Sequence, residues 1–463
     1  MIKFVLSIFL SVCAFLSFSS FAEKTTPNIV FIFADDWGWG DLGCHGHPYL
    51  KTPNIDRLAK EGTDFHRFTV ASGVCSPSRT AVMTGHFPAR YNIDGHFAWV
   101  PSNQRRNMPD WLDTNAPLLP KFLKKAGYST AHYGKWHLAN DMIPDAPFLT
   151  EYGYDDYGSY NCSGPQMFVH DDVKSAIPFM KKSHAKGKPF FINLWIHEPH
   201  TPFHVDPKLQ KLFPDLPEAD NIYAATLYHA DLRIGQLLDA LDEMKISDNT
   251  LVIFSSDNGP ARGSPNSPIA LSYDSATGPG YGIGAAKGIT GGRRAFKGAL
   301  MEGGIGVPFI ARWPGKIAAG KVDKTSVLSA VDLLPTFCEL GNVKLPKSYK
   351  PDGMSQVPAL MGKGNPLRKK PIFWKMSAPW PANKSKPDHW VAYAVVHEQW
   401  KLVLNKDQSH AELYDLVRDP LESTNRADKN SETVSRLKIL LQKWLTSLPE
   451  KPTGNVFSSL RKN

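Results

Sequence analysis

Four short apolar runs recur along the N-terminal 260 residues, and each ends in a cluster of polar side chains. Asn28 to Phe33 leads into Asp35-Asp36, and Tyr128 to Tyr133 leads into Gly134-Lys135-Trp136-His137. Pro189 to Ile196 leads into His197-Glu198-Pro199-His200, and Leu251 to Ser255 into Asp257-Asn258-Gly259. Runs this short and continuous predict strands buried on both faces. Helical periodicity lies between them, at Pro53 to Glu61, Leu118 to Ala126 and Tyr223 to Met244. In the last of these, Leu227, Ala230, Ile234, Leu237, Leu238 and Leu241 share one face. The alternation predicts an α/β fold, a large mixed and mostly parallel sheet sandwiched by helices. In such sheets ligands bind beyond the carboxyl ends of the strands, so the four polar clusters are expected along one edge.

Past about residue 365 the pattern changes. Ile372-Phe373-Trp374, Val391 to Val396, Lys401 to Leu404 and Glu412 to Tyr414 read as shorter strands, and Glu432 to Leu448 has helical periodicity. The expected division is a large domain at 23–365 and a smaller α+β domain with an antiparallel sheet at 366–463, with no internal repeat. Residues 1–22 start with Lys3, run apolar from Phe4 to about Phe18 and end Ser20-Phe21-Ala22, as a secretory signal peptide does. An uncleaved anchor is the alternative, but the run is short of a comfortable span, and no lipobox surrounds Cys13. The expected location is periplasmic or secreted, with no stable membrane insertion after cleavage. Cys44, Cys75, Cys162 and Cys338 then remain, too few for a disulfide scaffold, so the core rests on hydrophobic packing.

The formal net charge of +9 is compatible with an acidic partner. No basic run, zinc finger or RNA-binding aromatic motif points to nucleic acid. Candidate chemistry is concentrated elsewhere. In Cys75-Ser76-Pro77-Ser78-Arg79, followed by Thr80-Ala81-Val82-Met83-Thr84-Gly85, a cysteine stands where a helix begins. Pro77 suits the first turn, Ser76 or Cys75 can cap it, and Arg79 adds positive potential favouring an anionic group. Asp35, Asp36, Asp257 and Asn258 offer oxygen ligands for a hard cation such as Ca²⁺ or Mg²⁺. A single Asp-Asp pair is more often a cap or turn, whereas two clusters at two strand ends favour ligation. Lys135 and His137 lie two apart and face the same way if the backbone stays extended. His200 is held between prolines, and Lys297 follows a glycine-rich stretch that lets it reach an oxyanion. Each of these, taken alone, reads equally well as a solvated loop residue. The spacing of His197 and His204 does not make a second metal site.

The segment from Cys75 to Gly85 resembles the signature of the type I sulfatases, in which this cysteine is oxidised to formylglycine by a separate enzyme. Asp35-Asp36, Gly134 to His137, Pro199-His200, Asp257-Asn258-Gly259, Lys297-Gly298 and Glu302-Gly303-Gly304 follow in that family's order and approximate spacing. The segment Leu413-Tyr414-Asp415-Leu416, Asp419 to Glu422 and Asn425 resembles its C-terminal domain, so the likeness runs from about residue 27 to 428. It implies an alkaline-phosphatase-like fold and a similarity to bacterial carbohydrate sulfatases of the N-acetylgalactosamine-6-sulfatase and arylsulfatase A type. The implied reaction is hydrolysis of a sulfate monoester on a carbohydrate, an algal galactan or fucan or a glycosaminoglycan, releasing inorganic sulfate. The resemblance further implies that Cys75 becomes formylglycine, whose hydrate supplies the nucleophile. One Ca²⁺ would be bound by Asp35, Asp36, residue Cys75, Asp257 and Asn258, assisted by Arg79. Lys135, His200 and Lys297 would hold the sulfate, with His137 as base for sulfate release and His200 as general acid for the leaving alcohol.

Two other readings stand beside this one. A phosphonate or phosphodiester hydrolase of the same superfamily shares the signature, but Asn258 beside Asp257 favours the sulfatase. A noncatalytic sulfated-glycan binder with unmodified Cys75 is opposed by the retention of every catalytic position. The implied partners are a sulfated carbohydrate and a formylglycine-generating enzyme. Substrate-facing loops are expected at 260–295, with Arg293-Arg294, and at Ser377 to Asp388, with Lys384 and Lys386. Trp99, Trp380 and Trp390 suit sugar stacking, although burial is the commoner fate of tryptophan.

Overall fold

The computed structural model describes residues 26–264, 266–274, 277–362, 368–376 and 391–461. The leader at 1–22 and the Ser377 to Asp388 loop, with Lys384, Lys386, Trp380 and also Trp390, lie outside the described residues. Strands β1 (Asn28–Ala34), β2 (Thr63–Phe65), β3 (Ser129–Lys135), β4 (Asp156–Tyr160), β5 (Phe190–Trp195), β6 (Thr250–Ser256), β7 (Phe309–Arg312) and β8 (Lys321–Asp323) form one sheet in the order β8-β2-β7-β6-β1-β5-β3-β4. Only β7 runs antiparallel to its neighbours in this sheet. The remaining pairs are parallel.

The central strand shows why its sequence is apolar throughout. Ile29, Phe31 and Phe33 pack on one face with Met83, Leu123 and Phe337. Val30, Ile32 and Ala34 pack on the other with Ile55, Met180, Leu227 and Leu237. Helices α1 (Pro53–Lys60), α2 (Cys75–Thr84), α3 (Leu119–Lys125), α4 (Asp172–Ala185) and α5 (Glu218–Glu243) supply those partners, apart from Phe337, which lies on the later helix Leu333–Leu340. Helix α5 begins at Glu218, earlier than its apolar face signals, because Pro217 precedes it and Glu218 and Asp220 suit the first turn. Strands β6, β1, β5 and β3 are adjacent and parallel, so their four polar ends meet at one edge of the sheet, as expected.

A second sheet is antiparallel, with β9 (Ile372–Lys375), β10 (Tyr393–His397), β11 (Trp400–Leu404) and β12 (Ala411–Asp415) in sequential order. Helix α6 (Ser431–Thr446) covers it through Leu437, Leu441 and Trp444, the last stacked on Phe373 at 4.9 Å. This sheet shares a continuous apolar cluster with one face of the large one. Its Trp374 indole donates to the Val70 carbonyl at 2.7 Å, and Lys375 pairs with Asp94 at 2.8 Å. The segment leading into Cys75 is therefore backed by the second sheet. Among the described residues no helix is long and apolar enough to cross a membrane, and all four described cysteines are unpaired.

Candidate active site

Cys75 opens α2 as its first residue, with Val74 as the N-cap in extended conformation. Neither Cys75 nor Ser76 caps the helix, contrary to the sequence expectation. The Ser76 hydroxyl instead accepts the Phe97 N–H at 3.0 Å, which ties the 92–98 loop to the helix. Arg79 is fully buried one turn on. Two of its nitrogens donate to Asp257 Oδ2 at 3.0 and 2.6 Å, and a third donates to the Lys135 carbonyl at 3.0 Å. Its guanidinium also lies over the Trp195 ring at 5.0 Å. Arg79 thus joins three strand ends to the helix that carries Cys75.

Lys135 ends β3 and points its ammonium at Asp35 and, at 3.7 Å, at Cys75 Sγ. The backbone beyond it does not stay extended, because His137 adopts a left-handed φ of 52°. Both side chains nevertheless reach the same cleft, while Trp136 between them turns into the core. Asp36, also left-handed at φ 68°, receives Lys297 Nζ at 2.6 Å and Asn258 Nδ2 at 2.7 Å. The Lys297 loop is itself fixed, since Gly298 N–H donates to the Gly73 carbonyl at 2.7 Å. Gly259 is required here, because a Cβ on it would meet the Gly303 oxygen at 1.9 Å. His200 Nε2 stands 3.9 Å from Asp36 Oδ2, and its Nδ1 lies 2.5 Å from the Thr201 carbonyl.

Burial dominates the electrostatics. It raises the Asp35 carboxyl, but Lys135, His200, Arg79 and Lys297 together hold that group well below the usual carboxylate range. Burial and the adjacent Asp35 push Asp257 up to about 7. The Cys75 thiol is pushed up to about 11 by burial, with Lys135 opposing and Asp35 and Asp257 reinforcing. The helix start therefore does not make Cys75 an anion, because desolvation outweighs the favourable potential. Burial, then Lys135, holds the His137 and His200 imidazoles well below their ordinary range.

The donor set fits a hard cation. Asp35, Cys75 and Asp257 each bring a ligand atom within 4.8 Å of the others. Asp35 Oδ1 and Asn258 Oδ1 are buried without hydrogen-bond partners among the described residues, and a buried unpaired acceptor costs about 1–3 kcal/mol. An ion taking oxygen ligands satisfies both.

The sulfatase family matches residues 27–343. This chain belongs to that family. It is a type I sulfatase of the alkaline phosphatase superfamily and hence a sulfuric ester hydrolase. The C-terminal region of N-sulphoglucosamine sulphohydrolase matches residues 293–451. N-acetylgalactosamine-6-sulfatase of Canis lupus familiaris is 32% identical over 394 residues, which is 75% of this chain and 68% of that protein. Arylsulfatase G of Rattus norvegicus is 30% identical, over 75% of this chain and 71% of its own length. The solved structure of Ps i-CgsB in complex with k-i-k-neocarrahexaose is 27% identical with a TM-score of 0.74, covering 94% of this chain and 96% of that one. Sulfatases as a family generally use Ca²⁺ and formylglycine.

In this sulfatase the candidate residues share a cleft of about 1310 Å³, lined by Asp36, Cys75, Lys135, His137, His200 and Lys297. Its walls also carry His96, Asn140 and Asn161, which sequence reading missed. Asn140 follows His137 closely enough to be sought in the same strand-end loop, whereas His96 has no local signal. Of the Arg293-Arg294 pair only Arg294 lines the cleft, pairing with Glu412 at 2.6 Å. Arg293 is turned away over the Trp39 ring at 4.6 Å. Arg262 and Tyr273 from the 260–295 loop do reach the cleft. Trp99 is exposed and does not line the cleft, and Arg105 lies over its ring at 5.8 Å. Glu198 is absorbed by structure, bonded to Arg233 and His170.

Proposed function

We propose that this sulfatase removes sulfate from a sulfated carbohydrate, with residue 75 acting in its formylglycine form. The observation that carries the reading is the placement of Cys75 on the cleft floor, between Lys135 and the buried Asp35 and Asp257. Hydrated formylglycine at that position supplies an attacking hydroxyl, and a second hydroxyl whose deprotonation lets sulfate leave. Asp35, Asp36, Asp257, Asn258 and residue 75 would hold Ca²⁺, which supplies Lewis acidity beside the nucleophile.

The remaining work falls to side chains of the chain itself. Lys135, Lys297 and His200 bind the sulfate oxygens and hold the ester against residue 75. His137 donates Nε2–H to the Phe97 carbonyl at 3.0 Å, which leaves the Nδ1 lone pair as proton acceptor for sulfate release. His200 gives Nδ1–H to the Thr201 carbonyl, so it serves as general acid only as the imidazolium, with a second proton on Nε2 turned to the departing sugar oxygen and the bound sulfate offsetting the Lys135 and Lys297 charges that, together with burial, keep the ring neutral. Each proton transfer contributes about 10²- to 10⁴-fold.

The names of the similar proteins support a galactose-type sulfated glycan, since one acts on an N-acetylgalactosamine sulfate and another holds a neocarrahexaose. The cleft exceeds the roughly 300–1,000 Å³ usual for small ligands, and Arg262 and Arg294 on its walls suit an anionic sugar chain. The leader at 1–22 supports delivery to the periplasm or medium, with a separate enzyme converting Cys75. The test pairs two measurements on protein from a host able to oxidise the cysteine. The Cys75 peptide should carry an aldehyde on its β-carbon in place of the thiol, and sulfate should be released from at least one of a set of sulfated galactans, fucans and galactosamine-type glycosaminoglycans. A fully converted peptide with no release from any of them would overturn the substrate reading, and release by unconverted protein would overturn the nucleophile.

A further inference from the structure

Away from the catalytic cluster, Cys44, His45 and Asp64 each bring a ligand atom within 4.8 Å of the others. His66 stands beside this group, with Nε2 at 3.1 Å from Asp64 Oδ2, the same oxygen that lies 2.8 Å from His45 Nε2. His45 Nδ1 sits 2.6 Å from the Trp39 carbonyl and holds its proton on that oxygen, so it is Nε2 that would give up its proton to Asp64 or solvent and turn a lone pair to a metal. Two imidazole nitrogens converge on one carboxylate oxygen, contacts that ring N–H groups make in the absence of a metal and that an ion seated among the three groups would replace. Asp64 is 5% exposed, and its second oxygen, Oδ1, is buried with no hydrogen-bond partner among the described residues. We propose that Cys44, His45, Asp64 and His66 form a zinc site distinct from the catalytic cation site.

The chemistry of the donors selects the ion. One thiolate, two imidazoles and one carboxylate make a borderline-soft tetrahedral set suited to Zn²⁺ and poor for Ca²⁺. Two ligands of a tetrahedral zinc with bonds of about 2.0–2.1 Å stand about 3.3 Å apart, so the nitrogens and the oxygen need to part only slightly. The scaffold is rigid where the ligands attach. Gly43 N–H donates to Thr52 Oγ1 at 2.8 Å and Cys44 N–H to Asp56 Oδ1 at 2.9 Å, which fixes the turn on α1. Trp39 stacks on the His45 ring at 4.0 Å, and Asp64 is held in the β2 ladder opposite Ile310. Cys44 is exposed, which gives the ion a path from solvent. Binding exchanges the thiol proton for a zinc–sulfur bond and releases that proton to solvent.

Cobalt serves as the spectroscopic probe. Full-length protein stripped with chelator and resupplied with saturating Ca²⁺ is titrated with Co²⁺, followed by Zn²⁺. The expected result is one equivalent of tetrahedral cobalt with a thiolate charge-transfer band, displaced by zinc. Cys44→Ser should abolish the band, and both Cys44→Ser and His66→Gln should weaken zinc binding by about 100-fold or more. Cys75→Ser should retain band and affinity. Absence of a thiolate band in the wild type, its survival in Cys44→Ser, or its loss in Cys75→Ser would each overturn the assignment. Melting curves without zinc confirm that the variants are folded.

Discussion

His137 and His200 face one cleft from different strand ends, yet their ring nitrogens are committed differently. His137 gives Nε2–H to a carbonyl and keeps Nδ1 open, while His200 is anchored through Nδ1. Replacing either with alanine should lower turnover by about 10²- to 10⁴-fold. Stopped-flow kinetics should separate them, since His137→Ala is expected to release one enzyme equivalent of alcohol in a burst and then stall, whereas His200→Ala with a poor leaving group should show no burst. A burst from the His200 variant and none from the other would exchange the two roles. At this scale much was legible. Asp35, Asp36, Lys135, Asp257 and Asn258 each stand at or just past the end of an apolar run, and the sheet brings those ends together. The cap of α2 was not legible, because Ser76 satisfies Phe97, a partner 21 residues away, instead of its own helix.

Among the elements, α1 shows the same limit from the other side. Its Thr52 N-cap makes no side-chain capping bond. The free N–H groups of Asn54 and Ile55 donate instead to Asp231 on α5, at 3.1 and 3.0 Å to its two oxygens and at 2.8 Å. Asp231→Ala should therefore cost about 2 kcal/mol, measured as a lowered denaturation midpoint, since it strips both helix-start amides in a buried place. A variant as stable as the wild type would mean that solvent reaches those amides. The strands were readable because each apolar residue of β1 has a buried neighbour on one face or the other. The partnership of α1 and α5 was not, because residues 177 positions apart carry no local sign of it.

Across the whole molecule, the second sheet does more than close the fold. Lys401 on β11 is buried against Glu302 at 2.9 Å and Glu422 at 2.8 Å, and Glu302 begins the turn that follows the Lys297 loop. Lys401→Met alone should destabilise the protein by about 3–5 kcal/mol, by leaving two carboxylates buried together. Adding Glu302→Gln and Glu422→Gln should recover most of that loss in chemical denaturation. The cation site should also report on the whole fold. Raising free Ca²⁺ to one hundred times its Kd should stabilise the protein by about 2.7 kcal/mol, reversed by chelator, and an unchanged melting temperature would show that the buried acids bind no calcium. Cys75 itself is 3% exposed, with α2 and the Lys297 loop set around it. If residue 75 acts as formylglycine, as proposed, an oxidising enzyme would find almost no sulfur to grasp on the folded chain, and oxidation and folding would compete in time. The active fraction of a preparation should then track how slowly the chain folds relative to its encounter with the oxidising enzyme, and no later exposure of folded protein to that enzyme should raise it.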